Sequence, residues 1–535
     1  MTNDDPRSEA DVVVIGAGIG GLTAAALLAR AGLDVCVFEQ DSRPGGYLAG
    51  FRRRRFSFDT AIHWLNQCGP DGVVTSLLDH IDEGCPRAQP LQAVRRYRGD
   101  THDYLLSIDA DNLRDDLVRD APHEKDAIAG FFRASRRIGS IFHDLSYLMR
   151  APESMGRVEY ARKRIQLAKL TLPMMKWARH GTDHAFGRVF ASKLLRQLFC
   201  SDQRLMSCLT PVGWAYDGDY QVPPAGGSQA YPHFLAKSIL SRGGTISYRS
   251  RVDEITVQNG TATGVRFEKG RRNVQRGSIK CSHVLAACDL RTVYEQLLPQ
   301  GTIGSKLLGR VRNADIYDST VTVFLGLNAP ARALGLGEEL TFLTRNNPRI
   351  EAHNNGNPHT SAITVLVPSL RDPTLAPEGK STLTLSTAAN IRYGDRWKTG
   401  PNDARGEAYR AFKRAYADVL VDRVEKGLGC EIRDQIEVIE VATPVTHQRY
   451  TGNTDGSIMA TKPSHANIRN RIAGYLTPVK NLLLASHWAE YGGGVPISVR
   501  AGANCALLVL RGRNTAAFEG LRAVLDGETR LRPGS

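Results

Sequence analysis

Asp11-Val12-Val13-Val14-Ile15-Gly16-Ala17-Gly18-Ile19-Gly20-Gly21-Leu22 is the stretch that decides the fold. Four branched apolar residues, Val12 to Ile15, run straight into a turn with glycines at 16, 18 and 21. A small-residue stretch from Thr23 to Arg30 follows, with Ala24, Ala25, Ala26 and Ala29, and reads as a helix that Gly32 closes. A second apolar run, Val35-Cys36-Val37-Phe38, ends on Glu39. Strand, tight turn, helix, strand and acid in this order make a dinucleotide-binding unit. Gly16 makes the turn, Gly18 lets the backbone approach a pyrophosphate, and Gly21 lets the helix pack close to the strand. The helix N-terminus offers free N–H groups and the positive end of its dipole. Glu39, 18 residues past Gly21, is placed to hold a ribose hydroxyl pair and would repel a 2′-phosphate, which disfavours NADP.

Working outward, Arg43-Pro44-Gly45-Gly46 lies just past the ribose acid. A basic side chain and two glycines there suit a second grip: Arg43 would neutralise phosphate charge and the glycines would admit the backbone. At the far end, Asn481-Leu482-Leu483-Leu484-Ala485 leads through Ser486-His487-Trp488-Ala489-Glu490-Tyr491 to Gly492-Gly493-Gly494-Val495-Pro496, and a helix pattern follows. A strand, a glycine turn and a helix N-terminus recur, and their expected destination is the same cofactor site. No second GxGxxG stands between a strand and a helix. A single bound dinucleotide is therefore expected, with a small-molecule or quinone electron partner. GxSxG, HExxH and Walker motifs are absent, which argues against hydrolase, zinc-protease and NTPase chemistry.

The 535 residues have room for two to four average domains, with 42 % hydrophobic and 23 % charged residues as in ordinary folded proteins. The net charge of +14 favours anionic membranes or acidic carrier proteins. Nucleic acid is not expected as a partner, because no recognition motif accompanies the charge. Nine scattered cysteines without a CxxC pair read as reduced thiols, with no disulfide framework and no metal site. The polar start of the chain lacks an apolar signal core, and no apolar run approaches the roughly 18–20 residues that span a bilayer. The expected location is cytoplasmic, soluble or peripheral on the cytoplasmic membrane. Residues from about 75 to 225 show helical periodicity and little glycine. Within them, Met155 to His180 interleaves Arg and Lys with Ile, Leu, Met and Trp, the pattern of a helix at a membrane interface or of a cap over a substrate tunnel. Phe56 and Phe58 alternate with polar residues as in a strand.

These pieces, in this order, resemble the FAD-dependent phytoene desaturase, carotenoid isomerase and retinol saturase family, within the flavin-containing amine oxidase-like superfamily. The resemblance rests on Gly16 to Leu22, Arg43 to Gly46, Phe58-Asp59-Thr60-Ala61-Ile62-His63, Gly226-Gly227-Ser228, Val252-Asp253-Glu254-Ile255 with Gly264-Val265, Thr443-Pro444-Val445-Thr446 with Arg449-Tyr450-Thr451, and the closing Asn481 to Pro496. It implies an α/β fold. A Rossmann-like FAD-binding domain of glutathione reductase or amine oxidase type (1–75, 226–300 and 441–520) is interleaved with a substrate domain of mixed sheet plus helices (76–225 and 301–440, with a helical lid). Residues 521–535 are left as a tail. FAD is the implied cofactor, held by Gly16, Gly18, Gly20, Gly21, Glu39, Gln40, Arg43, Gly45, Gly46, Val252, Ser486, Gly494, Val495 and Pro496. Ser486-His487 and Ala61 stand where relatives carry glycine-containing variants, a change that bears on ribityl contacts and tunnel shape. The implied reaction is desaturation, isomerisation or saturation of carbon–carbon bonds in a long apolar polyene or prenyl-derived substrate. Oxygen or quinone would be the electron acceptor. A polyene tethered to an acyl carrier protein, an amine-oxidase reaction and a non-catalytic flavin fold are the alternatives. Proton transfer falls to His63, His487 or Glu490, with Tyr491 beside them, because imidazole and carboxylate groups near a flavin can act as acid or base.

Overall fold

The apolar run at the start forms β1 (Glu9–Ile15), and Val12, Val13 and Val14 are fully buried. It pairs in parallel with β2 (Val35–Phe38), Val14 opposite Val37, and with the second half of β12 (Gln275–Ala286), Val14 opposite Leu285. Beyond β2 lies β9 (Thr245–Ser247), also parallel, and β18 (Leu482–Leu484) pairs in parallel with β12. Strands covered on both faces are written as unbroken apolar runs, which is why Val12–Ile15 and Leu482–Leu484 show no alternation. The first half of β12 pairs antiparallel with β11 (Thr261–Lys269), which pairs antiparallel with β10 (Ser250–Gln258). In the computed structural model, residues 7–172, 189–198, 205–270, 273–344 and 355–529 are described.

A second sheet has the order β17-β13-β16-β15-β14-β6-β7, built from β6 (Ala93–Arg98), β7 (Asp103–Ser107), β13 (Ser319–Leu327), β14 (Leu340–Leu343), β15 (Ile363–Leu366), β16 (Ser381–Ala389) and β17 (Ile436–Ala442). Its pairings are antiparallel except β14 with β6. Two small ribbons complete the strands: β3 (Gly50–Arg53) with β4 (Phe56–Asp59), and β5 (Gln89–Pro90) with β8 (Gln221–Val222). The described helices of nine residues or more are α1 (Ile19–Arg30), α2 (Val73–Ile81), α3 (Ala110–Asp120), α4 (Lys125–Ser146), α5 (Arg157–Thr171), α6 (Leu205–Tyr216), α7 (Ala230–Ser241), α8 (Glu407–Leu428), α9 (Val495–Leu510) and α10 (Thr515–Leu525).

Strand β13 shows how the second sheet is shared. Val321, Val323, Leu325 and Leu327 join one core with Tyr416, Leu420 and Val424 of α8. Thr320 and Thr322 alternate with them and face the cavity described below. In the first core, α1 and α9 meet backbone to backbone. A Cβ on Gly502 would lie 2.1 Å from the Gly20 carbonyl oxygen, and one on Gly20 would lie 2.5 Å from that of Ala485.

Several sequence expectations are corrected here. The boundary at residue 75 cuts α2, whose Val73, Val74, Leu77, Leu78 and Ile81 belong to the first core. The stretch from 75 to 225 is not helical throughout, since β6 and β7 form one edge of the second sheet. The partner of β6, β14, lies some 245 residues on (Arg95 opposite Leu340), out of reach of any local signal. Residues 521–525 are not tail: Leu521, Val524 and Leu525 of α10 are buried with α2 and α9. Of the basic segment Met155 to His180, α5 accounts for Arg157–Thr171, and positions 173–180 lie outside the described residues. Among the described residues, no helix is long and apolar enough to cross a membrane, and the eight described cysteines are free.

Gly502→Val is expected to destabilise the protein by about 1–3 kcal/mol through overpacking, read as a lowered Tm. Gly309→Ala, which meets nothing within 4 Å in its helix, should leave Tm unchanged or slightly raised.

Candidate active site

A cavity of about 1020 Å³ runs between the two sheets. One end is backbone. Gly18 precedes α1 in extended conformation, and nothing lies within 4 Å of where its Cβ would be. The Gly45 N–H donates to the Ala17 carbonyl at 2.8 Å, which ties the two glycine turns together. A Cβ on Gly46 would come within 3.5 Å of the Gly18 Cα. Gly45 has φ +132°, a conformation that favours glycine. The result is an open backbone cradle at a helix N-terminus, and it fits a pyrophosphate. Next to it the Glu39 carboxylate accepts the N–H groups of Ala17 and Asp41, both at 2.8 Å. Burial raises its pKa. Both oxygens keep lone pairs toward the cavity, where a ribose diol would bind. Gln40 and Val252 line the same end.

Two of the expected cofactor contacts fall elsewhere. Gly21 does not line the cavity; a Cβ there would lie 2.2 Å from the Gly16 carbonyl oxygen and 2.7 Å from the Ala287 Cβ, so its smallness serves helix-on-strand packing. Arg43 does not line it either. One nitrogen of its guanidinium donates to the Gly50 carbonyl at the start of the β3–β4 ribbon, and its buried Nε has no hydrogen-bond partner. Gly16 and Gly20 do border the cavity.

The other end is organised by α9. Gly494 takes φ +90° immediately before it, and Val495 and Pro496 form its first turn. The free N–H groups and positive dipole end of α9 therefore face the cavity. Ser486 accepts the Trp488 N–H at 3.3 Å and holds the short turn that carries His487. His63 and His487 both line the cavity. Burial, aided at His63 by the Arg371 guanidinium and opposed at His487 by Asp289, lowers each pKa to about 4. Arg371 also donates to the His63 carbonyl at 2.5 Å. Both imidazoles are therefore neutral at pH 7.

Glu490 is not an idle base. Arg500 Nε lies 3.1 Å from each of its oxygens, and the Tyr475 hydroxyl donates to it at 2.7 Å. Asn504 continues the network, donating to the Tyr475 oxygen at 3.0 Å and accepting the Ala151 N–H at 2.6 Å. A buried carboxylate so engaged fixes the loop before α9; it is a positioning group rather than a free proton acceptor.

Residues that sequence reasoning missed line the far end of the cavity. Trp64, Phe142, Leu145, Met149 and Trp214 supply apolar lining, and Thr320, Thr322 and Ser386 line the cavity from the second sheet. Residues 142, 145 and 149 follow helical spacing and the threonines follow strand alternation, so the faces were readable. Which face met the cavity was not. Among the described residues, no group of three or more His, Cys, Asp or Glu is placed to hold a metal.

A glycine-turn sheet whose two helix N-termini converge on one long cavity defines a dinucleotide-binding flavoprotein. Residues 19–510 match the family described as flavin containing amine oxidoreductase, and the chain belongs to that family. It is an FAD-dependent oxidoreductase. It is 25 % identical to an all-trans-retinol 13,14-reductase of Danio rerio, over 98 % of this chain and 90 % of the relative. A chloroplastic prolycopene isomerase 2 of an Oncidium hybrid cultivar is 24 % identical, over 85 % of this chain and 76 % of the relative. Among solved structures, cyclohexylamine oxidase of Brevibacterium oxydans shares the fold, with TM-score 0.58, 13 % identity, and coverage of 94 % of this chain and 99 % of that one.

Glu490→Gln should leave the Arg500 charge buried without its counterion and cost about 3–5 kcal/mol of stability, seen as a lowered Tm. The double change Glu490→Leu with Arg500→Met should cost less. Because His63 and His487 are held near 4, they stay uncharged above pH 5. The kcat/KM profile should then be flat between pH 6 and 8. An inflection near 6.5 that His487→Gln removes would contradict this reading.

Proposed function

We propose that the chain acts on carbon–carbon bonds of a long apolar polyene or prenyl-derived substrate. The observation that carries this reading is the continuation of the cavity beyond its helix-terminus end into Trp64, Phe142, Leu145, Met149 and Trp214. Such a lining binds a conjugated or isoprenoid chain by burial alone, without a charged anchor. The names of the reductase and isomerase relatives, each referring to a polyene, support the same substrate class.

Bound FAD supplies hydride transfer to or from the carbon chain. The protein's part is to hold the cofactor between the Gly18 cradle and the start of α9, to keep water out of the apolar arm, and to move a proton. His63 and His487 are suited to that last task as neutral imidazoles, each able to take or give one proton at a ring nitrogen. Burial disfavours the imidazolium that would form, so a proton taken there is passed on rather than stored.

Oxygen or quinone is the acceptor we propose if the net reaction is desaturation, with the enzyme on the cytoplasmic side of the cell. An amine substrate fits less well. Asp219, a carboxylate at the apolar end, accepts both the backbone N–H and the side-chain amide of Gln67, and burial raises its pKa to about 6. A polyene carried by an acyl carrier protein remains the variant of the same chemistry.

Purified protein should show the absorbance of bound FAD. Incubated anaerobically with phytoene-type, prolycopene-type and retinol-type polyenes, with and without reductant, it should change the polyene spectrum. Product mass then separates desaturation (loss of two hydrogens), saturation (gain of two) and isomerisation (no change). Peroxide release on amine addition, with inert polyenes, would overturn the reading.

A further inference from the structure

Among the described residues, the acids that border the cavity are Glu39, Asp219, Asp253, Asp289 and Glu490. All but one have a partner or a place. Glu39 faces the ribose position, and Glu490 is bound by Arg500. Asp289 accepts the N–H groups of Arg291, Thr292 and Thr454 and the Thr454 hydroxyl. Asp253 is exposed beside Val252 at the nucleotide end. Asp219 differs. It is 6 % exposed, at the apolar end of the cavity, and among the described residues no Lys or Arg pairs with it. His143 nearby is engaged by Asp217 at 3.3 Å.

The Asp219 side chain accepts two donors, both from Gln67: the backbone N–H at 2.5 Å on Oδ1 and the side-chain amide at 2.8 Å on Oδ2. To deliver them Gln67 takes φ +57°, a left-handed conformation that few residues with a side chain adopt. Strain of this kind gathers at ligand clamps. Gln67 Oε1 is left without a hydrogen-bond partner. Each Asp219 oxygen has taken one bond and keeps a lone pair. Burial raises the Asp219 pKa to about 6, so at pH 8 the group is ionised and only accepts. The other polar groups of this arm are spent on the protein. Asn66 Nδ2 donates to the Asp219 carbonyl, Asn66 Oδ1 accepts the Trp64 indole N–H at 2.9 Å, and the Ser146 hydroxyl donates to the Phe142 carbonyl at 3.0 Å. Among the described residues, the arm has acceptors to spare and is short of donors. The surface around them is aromatic: Tyr220 packs against both Trp64 and Trp214, at 5.9 and 6.0 Å. Burial along such a surface is non-directional, so a hydrocarbon chain can slide; one hydrogen bond at the end of the arm stops it.

We propose that Asp219 determines specificity at the end of the apolar arm, where it accepts the hydroxyl O–H of an isoprenoid alcohol and fixes the register of the chain along the cavity. The inference rests on the polyene or prenyl reading and adds what the chain carries at one end. An aldehyde, ether or ester end brings acceptors against acceptors and is rejected. An ammonium end brings donors but also a second cation, and the Arg95 guanidinium already lies over the Trp64 ring at 5.7 Å. Like charges repel strongly in so dry a place. A neutral hydroxyl satisfies the carboxylate without that penalty, and the apolar lining buries the rest of the chain.

The test is equilibrium binding of geranylgeraniol, its methyl ether and geranylgeranylamine to the full-length, FAD-loaded protein at pH 8. Tryptophan fluorescence and the absorbance of the bound flavin report binding without turnover. Wild type should bind the alcohol about 10- to 100-fold more tightly than the ether, the worth of a hydrogen bond to a charged group. Asp219→Asn keeps the clip to Gln67, because the Gln67 amide can turn over and accept the new N–H. It should weaken the alcohol about tenfold and leave the ether unchanged. A merely structural clip would weaken both ligands alike, and that result overturns the proposal. Should the variant fail to fold, seen in its Tm and flavin absorbance, the wild-type ratio of alcohol to ether still decides. Equal binding of the two to wild type overturns the proposal and leaves the prenyl reading standing. Tighter binding of the amine than of the alcohol overturns it in favour of a cationic end. If none of the chains binds, the prenyl reading falls and the proposal falls with it.

Discussion

The contact between Gly20 of α1 and Gly502 of α9 is the constraint on which the site depends. A Cβ at 502 would come to 2.1 Å from a carbonyl oxygen, so two helices separated by most of the chain touch through bare backbone. That approach lets both N-termini open on one cavity. One presents Gly18 beside the Glu39 carboxylate; the other presents Gly494, Val495 and Pro496. Two positive dipole ends facing one space suit a ligand with charge at a pyrophosphate and developing charge at a ring. The two helices share one buried core with β1, the second half of β12 and β18.

Around this cradle the buried charges act as fasteners. Arg500 on α9, Glu490 before it, Tyr475 and Asn504 form one hydrogen-bonded group that reaches the Ala151 N–H, on the segment joining α4 to α5. Removing two ions from water costs several kcal/mol per ion, so such a pair adds little net stability. What it adds is position. The loop carrying His487 is held against α9, and the segment joining α4 to α5 is held against both. The histidines at the cavity are kept neutral by burial, and the fixed charges beside them on its lining, Glu490 and Arg500, are paired with each other.

The nucleotide-binding half was largely legible. Gly16, Gly18 and Gly21 act locally, and apolar runs such as Val12–Ile15 are written out in full because parallel strands are buried on both faces. The glycine turn before α9 was legible for the same reason. Reading failed where a residue's job depends on a distant partner. Arg95, Arg96 and Arg98 hide β6 as a strand; its pairing comes from β14, and the Arg95 guanidinium lies over the Phe342 ring at 4.2 Å. Arg43 reads as a phosphate ligand from its neighbours, and its bond to the Gly50 carbonyl could not be foreseen from them. Glu490 looked like a proton acceptor until Arg500 was placed beside it.

The sequence by itself determined the dinucleotide turn, the ribose acid, the second glycine turn and the family they belong to, because each is set by backbone geometry within a few residues. Only the tertiary structure decided which side chains share the cavity. The apolar lining comes from a loop, from α4 and from α6, and the hydroxyl lining from β13 and β16. These segments are brought together by burial of their other faces in three separate cores. That burial is non-directional in sequence: an alternating strand or an amphipathic helix states that one face is inside, and the packing of the whole chain states what that face meets.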